Sequence, residues 1–433
     1  MNDEELLGLI ASWNFWGRPP ETGITRDHYV NRIEGFLRAV GVVAVTGVRR
    51  AGKSYVSVQT IKRLIDQGTD PRDTLIIRLD DERLLNPDYQ MLLRIYDLYR
   101  VQVKRENEKT YVLLDEAQEV EGWERFVRGL SERREALFIV TGSSSKLLSS
   151  EFSTLLSGRF IEVNVTPLSF REYLGFGGLN YDSPLSVSAN LDTIKREMMG
   201  YINGGGFPDS VLNPSVKNEL ILSYFNSIIV KDVVKRYGIR DISKVESLAR
   251  FYVASTASTI TFNSVSKFLK IPLKTVERYS GYLESAFIFF FLRSYSSSPR
   301  AVENSPRKVH IIDNGLLVNS AVSNTWRMLE SAVAQELKRV SSENNISMYY
   351  WKGEGAEVDI VLEHRGKLLP VQVSYSIAEE KSRDREFRAL RKFMKLFGAE
   401  RGMVITMGES MDENQISVVP AHTFFLNSAG ILK

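Results

Sequence analysis

Nine residues, GVRRAGKSY from Gly47 to Tyr55, have the types and the spacing needed to hold a phosphate group. The pattern G-x-x-x-x-G-K-S places Gly47, Gly52, Lys53 and Ser54 at its fixed positions. Glycines let the backbone turn tightly and point several N–H groups at one anion, and a helix N-terminus adds a partial positive charge. We expect the ammonium of Lys53 to reach the β- and γ-phosphates of a nucleotide and the hydroxyl of Ser54 to bind Mg²⁺.

The chain on both sides of this loop has the elements that such a loop needs. Val42 to Thr46 is a β-branched apolar run of strand length, and the apolar residues after Tyr55 recur at a helical spacing. Strand, glycine-rich loop and helix in this order favour a phosphate-binding loop over a chance match in a glycine turn. The residues expected to bind the nucleotide are Gly47, Val48, Arg49, Arg50, Ala51, Gly52, Lys53, Ser54 and Tyr55.

A second stretch, Thr110 to Asp115, is a nearly continuous apolar run that ends in an acid. Such a run is typical of a buried parallel strand with a carboxylate at its C-terminal end. We expect Asp115 to hold Mg²⁺ together with Ser54, and Glu116, the next residue, to accept a proton from an attacking water. Together with the glycine loop, this stretch predicts that the chain binds a nucleotide.

The composition excludes several kinds of site. The chain of 433 residues contains no cysteine, which excludes disulfides, thiolate metal sites and a cysteine nucleophile. Its four histidines are widely spaced, which argues against a histidine metal site or a serine–histidine–aspartate triad. A net charge of +3 does not by itself indicate a polyanionic partner. Because no apolar run approaches the length of a membrane span and the acidic N-terminus lacks a signal-peptide pattern, we expect a cytoplasmic protein that contacts no membrane.

Residues 41–167 alternate between strand and helix patterns, which predicts an α/β core with a parallel sheet and helices on both faces. The strands are expected at 42–46, 74–79, 110–115, 136–141 and 160–165, and the helices at 53–66, 88–104 and 122–133. Residues 1–40 form an N-terminal segment that we expect either to pack on the adenine or to cover the sheet edge. After the fourth strand, Ser143 or Ser144 is a candidate sensor of the γ-phosphate, and a turn that caps a helix fits the same residues.

Six sequence blocks occur in a fixed order: GVRRAGKS, YVLLDEAQ, TGSSS, LSGRF, PLSFREYL and GGGFPDSV. Together they resemble a family of bacterial and archaeal AAA+-type ATPases in which the ATPase domain precedes a second conserved domain of unknown function. The resemblance implies binding of ATP and Mg²⁺, hydrolysis of ATP and a P-loop fold, but not what the hydrolysis drives. In such an ATPase, Arg159 of the LSGRF block is a candidate arginine finger that reaches the γ-phosphate across a subunit contact. Arg49 and Arg50 are alternatives, and Arg159 would also suit a structural salt bridge.

The middle of the chain is predicted to contain three parts. Residues 168–240 have mostly helical patterns and resemble the helical lid of such ATPases. Residues 241–300 contain two helical patterns and the apolar run IFFFL, which together predict a winged helix-turn-helix for DNA contact or for domain packing. Residues 301–325 are expected to be a connection, because the stretch 296–325 is rich in Ser, Pro and Asn around a short strand. The cations that would meet DNA phosphates are Lys267, Lys270, Lys274 and Arg278.

Residues 326–433 have the order of helices and strands found in restriction-endonuclease-like nucleases, and Glu330 and Asp359 match two of the acids. Gln372 and Ser374 stand where these nucleases have E-x-K, which removes one metal charge and the lysine. We therefore expect a degenerate domain without nuclease activity. A predicted helix at 379–397 has a basic face that would follow phosphates or remain a solvated surface. Its cations are Lys381, Arg383, Arg385, Arg388, Arg391, Lys392 and Lys395.

The leading hypothesis is an AAA+-type ATPase that uses ATP and Mg²⁺, with a helical lid, a winged helix and a degenerate nuclease-like domain. The alternative is a nucleotide-dependent binding switch with negligible turnover. A third hypothesis is an active nuclease that uses Glu330 and Asp359 alone. The candidate partners are DNA, through the winged helix and the basic C-terminal helix, a second protein, and further copies of the chain.

Overall fold

The computed structural model divides into two compact units, Met1–Val165 (unit 1) and Thr166–Lys433 (unit 2). The residues that the structure describes are 1–105, 109–143, 160–179, 181, 183–318, 324–353 and 355–430. Over these ranges, no helix combines the length and the apolar character that crossing a membrane requires.

Unit 1 is built around a five-stranded sheet in which all strands are parallel. Its strands are β1 (Val42–Thr46), β2 (Thr74–Arg78), β3 (Thr110–Asp115), β4 (Ala136–Thr141) and β5 (Ile161–Asn164). Its helices are α1 (Asp3–Ala11), α2 (Asp27–Val40), α3 (Lys53–Asp66), α4 (Tyr89–Gln102) and α5 (Trp123–Glu132), with 3₁₀ turns at Pro71–Asp73 and Ala117–Glu119. The bounds lie within two residues of those expected from the sequence, and the predicted parallel α/β sheet is confirmed.

The order of strands across this sheet is β2-β3-β4-β1-β5, so β4 lies between β1 and β3 although it comes later in the chain. All five residues of β1 are buried, as expected for a central strand covered on both faces. In a parallel sheet the carboxyl ends of neighbouring strands meet at one edge. That edge brings together the glycine loop after β1, Asp115 at the end of β3 and Thr141 at the end of β4.

The N-terminal segment covers the outer side of the edge strand β2. The side-chain amide of Asn14 donates to O of Ile76 at 2.9 Å and accepts from N of Ile76 at 2.6 Å. Trp16 donates from Nε1 to O of Thr74 at 3.0 Å. These bonds satisfy backbone groups that an edge strand would otherwise leave open. The structure thus contains the cover over the sheet edge, which is one of the two expectations for residues 1–40.

Unit 2 contains many helices before and between its strands. The helices are α6 (Phe170–Phe176), α7 (Pro184–Ala189), α8 (Leu191–Gly204), α9 (Pro208–Leu212), α10 (Lys217–Ser227), a π-helix (Ile228–Lys235), α11 (Ile242–Ala254), α12 (Phe262–Leu269), α13 (Leu273–Ser285), α14 (Pro299–Asn304), α15 (Thr325–Asn344), α16 (Glu380–Phe397) and α17 (Ala421–Asn427). Short 3₁₀ turns lie at Pro214–Val216, Asn314–Leu317 and Ser428–Gly430. The strands are β6 (Ser258–Ile260), β7 (Phe289–Ser294), β8 (Arg307–Ile311), β9 (Ser347–Gly353), β10 (Ala356–His364), β11 (Lys367–Val373), β12 (Gly402–Thr406), β13 (Met411–Glu413) and β14 (Ile416–Pro420).

All of these strands form one sheet, in the order β13-β14-β12-β11-β10-β9-β7-β8-β6. The sheet is continuous because β7 pairs with β9 in parallel, with Arg293 opposite Tyr349 and Ser294 opposite Tyr350. Strands from the predicted winged helix, the predicted connection and the predicted nuclease-like domain therefore share a single sheet. This continuity differs from the separate domains that the sequence analysis assigns to these segments.

The helices assigned to a lid also pack within unit 2. Phe170 of α6 and Ile194 of α8 lie in one hydrophobic core with Leu337 of α15, Ile360 of β10 and Val371 of β11. Apolar burial of this extent stabilises the packing of these helices on the sheet of their own unit. In the structure, the segment at 170–204 is therefore part of the core of unit 2.

The glycine cluster after α8 meets a buried carboxylate. Asp313, which follows β8, accepts hydrogen bonds from the N–H groups of Gly206 at 2.7 Å and Gly315 at 2.8 Å. Gly205 has φ +70° and ψ −172°, a backbone region that is essentially limited to glycine. A Cβ built on Gly205 would lie 1.8 Å from Oδ1 of Asp313. In the GGGFPDSV block, the backbone of the glycines therefore packs directly against this carboxylate, with no room for a side chain at Gly205.

Gly205→Ala should destabilise unit 2 by at least about 3 kcal/mol, because the methyl group overlaps Asp313 and the backbone conformation excludes it. Gly398→Ala is the matched control. Gly398 ends α16 at φ +71° with no atom within 4 Å of a built Cβ, so its loss should stay near about 1 kcal/mol. Urea unfolding followed by circular dichroism measures both variants. Equal losses would contradict the importance of the Asp313 contact.

Candidate functional site

The glycine loop joins β1 to α3 in a conformation that requires glycine at its start. Gly47 has φ +134°, and a Cβ built there would lie 2.0 Å from O of Val165. Val165 follows β5, which pairs with β1, so the loop passes directly against the neighbouring strand. Gly52, with φ +94°, is the N-cap of α3. Of the two glycines in the sequence pattern, Gly47 is required by the close contact with Val165, and Gly52 is required by its left-handed backbone conformation.

Lys53, the first residue of α3, is buried inside the loop. Its Nζ donates hydrogen bonds to O of Gly47 and O of Val48, both at 3.1 Å. The loop carbonyl of Ala51 accepts a hydrogen bond at 2.7 Å from the guanidinium of Arg26, which is also buried. Arg26 lies outside the motif and is not predicted by it, because only the packing of the N-terminal segment brings this residue to the loop.

Asp115 is the centre of a hydrogen-bonded group at the carboxyl edge of the sheet. Ser54 donates from Oγ to Oδ1 of Asp115 at 2.8 Å, and Thr141 donates from Oγ1 to the same oxygen at 2.6 Å. The structure thus brings Ser54 and Asp115 into contact next to the glycine loop. A hydroxyl and a carboxylate are oxygen ligands of the kind that Mg²⁺ takes in proteins, so this pair fits that cation.

Glu116 adopts a left-handed backbone conformation, φ +54° and ψ +49°, that is uncommon for a residue other than glycine. Its N–H donates to Oγ1 of Thr141 at 2.9 Å, and its Oε2 accepts a hydrogen bond from Nε2 of Gln118. Strain of this kind is worth about 1–3 kcal/mol and concentrates at functional sites. The bond to Thr141 fixes the backbone of Glu116, and the bond from Gln118 fixes its carboxylate.

Thr141 and Gln118 are site residues that the sequence analysis missed. Thr141 contacts both Asp115 and Glu116. The sequence contains a signal for this residue, because it is a polar residue at the end of an apolar strand pattern.

The predicted Ser143 is buried shortly after β4. Arg159, the candidate arginine finger, and Ser144 lie outside the described residues. Among the remaining loop residues, Val48 and Ala51 are buried, Arg49 and Gly52 are partly buried, and Arg50 and Tyr55 are exposed.

The electrostatics of Asp115 also suit a cation. Burial raises the pKa of Asp115 to about 6, and the neighbouring Glu116 adds to the rise, while the hydroxyls of Thr141 and Ser54 oppose it. Above this pH the folded chain therefore holds an ionised carboxylate in a buried place, which costs stability. A cation bound between Ser54 and Asp115 would offset that cost.

A cavity of about 510 Å³ opens beside Ser54 and Asp115. Its walls include Trp13 and Pro19 of the N-terminal segment and Tyr55 of α3. Cavities of this size are typical of sites for small molecules. The segment that covers the sheet edge therefore also lines the space next to the candidate site.

In unit 2, the positions that resemble a nuclease site converge as well. Glu330 of α15, Asp359 of β10 and Gln372 of β11 line one cavity of about 620 Å³. The ammonium of Lys308, from β8, lies 2.6 Å from Oε1 of Glu330 and 2.9 Å from Oδ1 of Asp359. Ser374, the last E-x-K position, donates to a loop carbonyl at 3.0 Å. The sequence analysis missed Lys308, which lies in the segment that it assigns to a connection.

The two groups of cations considered for DNA contact have different surroundings. In the predicted winged helix, all four are exposed: Lys267, Lys270, Lys274 and Arg278. On α16, Arg391 forms an ion pair with Glu413 at 2.6 Å, and Arg385 forms one with Glu386. Acids therefore compensate part of the basic face of α16.

Three stretches of the chain match known family models. Residues 40–174 match an AAA domain, residues 195–338 match a domain of unknown function, DUF8612, and residues 327–424 match another, DUF4143. The AAA match includes the glycine loop, Asp115 and Glu116, and it supports nucleotide binding at the level of the domain family.

Relatives of this chain match most of its length. The protein MJ1544 of Methanocaldococcus jannaschii, described as uncharacterized, is 32% identical over 385 residues, which cover 86% of this chain and 82% of the relative. An uncharacterized protein of Haemophilus influenzae is 30% identical over 368 residues, which cover 82% of this chain and 88% of the relative. Among solved structures, the Walker-type ATPase PABY2304 of Pyrococcus abyssi matches with a TM-score of 0.41 and 13% identity, over 67% of this chain and 94% of that chain. Sequence matches of this length extend through both units.

Asp115→Asn should stabilise unit 1 in the absence of Mg²⁺ by about 2 kcal/mol at pH 8. Asparagine keeps an oxygen that accepts from Ser54 and Thr141 but has no charge to bury. The folded pKa of about 6 lies above the ordinary 3.8, so the stability that this carboxyl contributes is fully present below pH 3.8 and is lost as the pH rises through 6. The advantage of the variant should therefore disappear in acid.

Urea unfolding in EDTA at pH 4, 6 and 8 measures this difference. Adding Mg²⁺ at pH 8 should stabilise the wild type and leave Asp115→Asn unchanged. A wild type as stable as the variant at pH 8 in EDTA would contradict the cost assigned to the buried carboxylate.

Proposed function

The chain belongs to the family of the M. jannaschii and H. influenzae proteins described above, and we propose that it binds ATP with Mg²⁺ and hydrolyses it. The observation that carries this proposal is the contact of Ser54 with Asp115 beside the glycine loop, with Glu116 as the next residue. The match of residues 40–174 to an AAA domain supports nucleotide binding. We propose ATP as the nucleotide, Mg²⁺ as the metal and hydrolysis as the reaction.

In the proposed complex, the N–H groups of the glycine loop and the N-terminus of α3 bind the phosphates. The ammonium of Lys53, which contacts the carbonyls of Gly47 and Val48 in the structure, turns to the phosphate oxygens. Ser54 and Asp115 hold the Mg²⁺. The bound cation supplies positive charge that offsets the charge of the phosphate oxygens.

Glu116 is the proposed general base, which accepts a proton from the attacking water. Thr141 and Gln118 act as positioning residues, because they hold its backbone N–H and its carboxylate. Ser143 would sense the γ-phosphate from the end of β4. Arg159 would act from a neighbouring copy of the chain, so the proposal includes a homo-oligomer.

Glu116→Gln should lower steady-state phosphate release by about 10²–10⁴-fold while Mg-ATP still binds, because glutamine has the same shape but cannot accept the proton. Lys53→Ala is the companion variant and should lose both ATP binding and turnover. Phosphate release and equilibrium binding of a fluorescent ATP analogue measure the two properties. Retained turnover in Glu116→Gln would move the base elsewhere, and unchanged ATP affinity in Lys53→Ala would contradict its role on the phosphates.

The same measurements separate hydrolysis from a nucleotide-dependent switch. A wild type that binds Mg-ATP but releases no phosphate over many turnovers would favour the switch, in which ATP holds one arrangement of the chain. Multiple turnovers that Glu116→Gln abolishes would favour the ATPase.

We also propose DNA as a partner, with a second protein as the alternative. The elements α11, β6, α12, α13, β7 and β8 follow one another as helix, strand, helix, helix, strand and strand, and β8 pairs antiparallel with both β6 and β7. This order is the one expected of a winged helix-turn-helix, with α13 as the recognition helix. Lys274 and Arg278 lie exposed on the first turns of α13. Because these residues suit phosphates better than base edges, we expect binding without strong sequence preference.

The double variant Lys274→Ala with Arg278→Ala should weaken binding of duplex DNA and lower the slope of log K against log salt by about 2, one for each lost phosphate contact. Lys381→Ala with Lys395→Ala is the matched control, since it removes two exposed cations from α16 and the same total charge. Fluorescence anisotropy of a labelled duplex over a KCl series measures both. Equal effects in the two variants would mean that α13 has no special part, because general charge or the basic face of α16 would contribute as much. DNA-independent turnover without DNA binding would favour the protein partner.

A further inference from the structure

Lys308 is a buried lysine surrounded by carboxylates. Only 1% of its surface is exposed, and it extends from β8 into the cluster that Glu330, Glu357 and Asp359 form. Its Nζ lies 2.6 Å from Oε1 of Glu330, 2.9 Å from Oδ1 of Asp359 and 3.3 Å from Oε1 of Glu357. Three carboxylates from two elements, α15 and β10, thus converge on one ammonium.

The ammonium stays charged in this place. Burial by itself lowers the pKa of Lys308, but Asp359 and Glu330 more than offset that effect, and the pKa is raised above its ordinary value. Burying a single charge would cost several kcal/mol, and it is tolerated here because the opposite charges are in direct contact. The cluster therefore contains a permanent cation that the chain itself supplies.

The remaining hydrogen bonds keep the carboxylates in place around this cation. Oδ2 of Asp359 accepts from N of Val373 at 2.9 Å, and N of Asp359 donates to Oε1 of Gln372 at 3.3 Å. The amide of Gln372 donates to Oε2 of Glu386 at 2.6 Å. Gln372 thus uses both ends of its side chain within the protein, and Asp359 keeps one oxygen for Lys308.

The cluster is open to small ions through a cavity. The cavity of about 620 Å³ is lined by Glu330, Glu357 and Asp359, with Lys352 at the same wall. Among the described residues, no group of three or more His, Asp or Glu side chains is spaced to hold a metal ion. The carboxylate oxygens nevertheless lie only 2.6–3.3 Å from Nζ, and a contraction of at most about 1 Å would bring them to the distances of Ca²⁺, or of about 1.2 Å to the shorter distances of Mg²⁺.

We propose that the ammonium of Lys308 occupies the position of a divalent cation among Glu330, Glu357 and Asp359, and that removing it converts the cluster into a divalent-cation site. Even if Glu330 carries no charge, Glu357 and Asp359 place two negative charges against one ammonium, and a divalent cation would neutralise both. Carboxylate oxygens suit Mg²⁺, Mn²⁺ and Ca²⁺. The wild-type cavity would then be a binding pocket without a metal, which argues against the hypothesis of a nuclease that uses Glu330 and Asp359 alone.

The test is Mn²⁺ binding by the full chain in an Asp115→Asn background, which removes the candidate metal ligand of unit 1. Lys308→Ser should gain one Mn²⁺ site with a dissociation constant on the order of 10⁻⁴ M, as for modest oxygen-ligand sites. Further substitution of Asp359→Asn should abolish it. Lys352→Ser is the matched control, because Lys352 lines the same cavity and pairs with Glu357 at 3.2 Å but is largely exposed. Mn²⁺ binding by each variant is measured from the loss of the electron paramagnetic resonance signal of free Mn²⁺.

Binding in Lys308→Ser alone, lost with Asp359→Asn, would support the proposal. Equal Mn²⁺ affinity in the Asp115→Asn parent or in Lys352→Ser would overturn it, because the ammonium would then neither occupy nor block the position. If Lys308→Ser does not fold without metal, recovery of its near-ultraviolet circular dichroism in millimolar Mn²⁺ would support the proposal. Failure of Mn²⁺ to restore the fold would overturn it. None of these outcomes depends on ATP hydrolysis in unit 1.

Discussion

The cost of burying a negatively charged carboxylate must be offset by polar or charged partners, and the two units use different kinds of partner. In unit 1, Asp115 accepts hydrogen bonds from the hydroxyls of Ser54 and Thr141, which are neutral. In unit 2, Glu330 and Asp359 contact the ammonium of Lys308. Neutral donors leave the negative charge available to an incoming cation, whereas an ammonium neutralises it. The chemistry that each unit is suited for follows from this difference.

In unit 1, the position of one strand controls the site. Because β4 lies between β1 and β3, Thr141 at its end reaches both Asp115 and the backbone of Glu116. One hydroxyl therefore orients the carboxylate that is next to Ser54 and also supports the left-handed backbone that turns Glu116. A shift of β4 along the sheet would disturb both carboxylates together, so the strand order is part of the site and not only of the fold.

The parts of this structure that the sequence predicts depend on local signals. The glycine loop, the apolar run before Asp115 and the helix after Lys53 are each encoded within a few neighbouring residues, and the structure contains them at nearly the expected bounds. The shared sheet of unit 2 and the Lys308 cluster depend on contacts between distant segments. The apolar residues of β7 and β8 indicate that these strands are buried, but they do not specify which strands pair with them. For this reason the sequence divides unit 2 where the structure joins it.

The position of Lys308 on β8 makes the charge balance of the carboxylate cluster in unit 2 depend on the fold of that unit. Lys308 lies on β8, in the part of the sheet next to the predicted winged helix, whereas Glu330, Glu357 and Asp359 belong to α15 and β10. The ammonium of Lys308 reaches Glu330 and Asp359 only when β8 takes its place in the nine-stranded sheet, so a structure with the segments apart would deprive these two buried carboxylates of that partner. A site that used a metal would make this arrangement depend on metal supply. With a cation from its own chain, the contacts of Glu330 and Asp359 in this sheet do not depend on a metal.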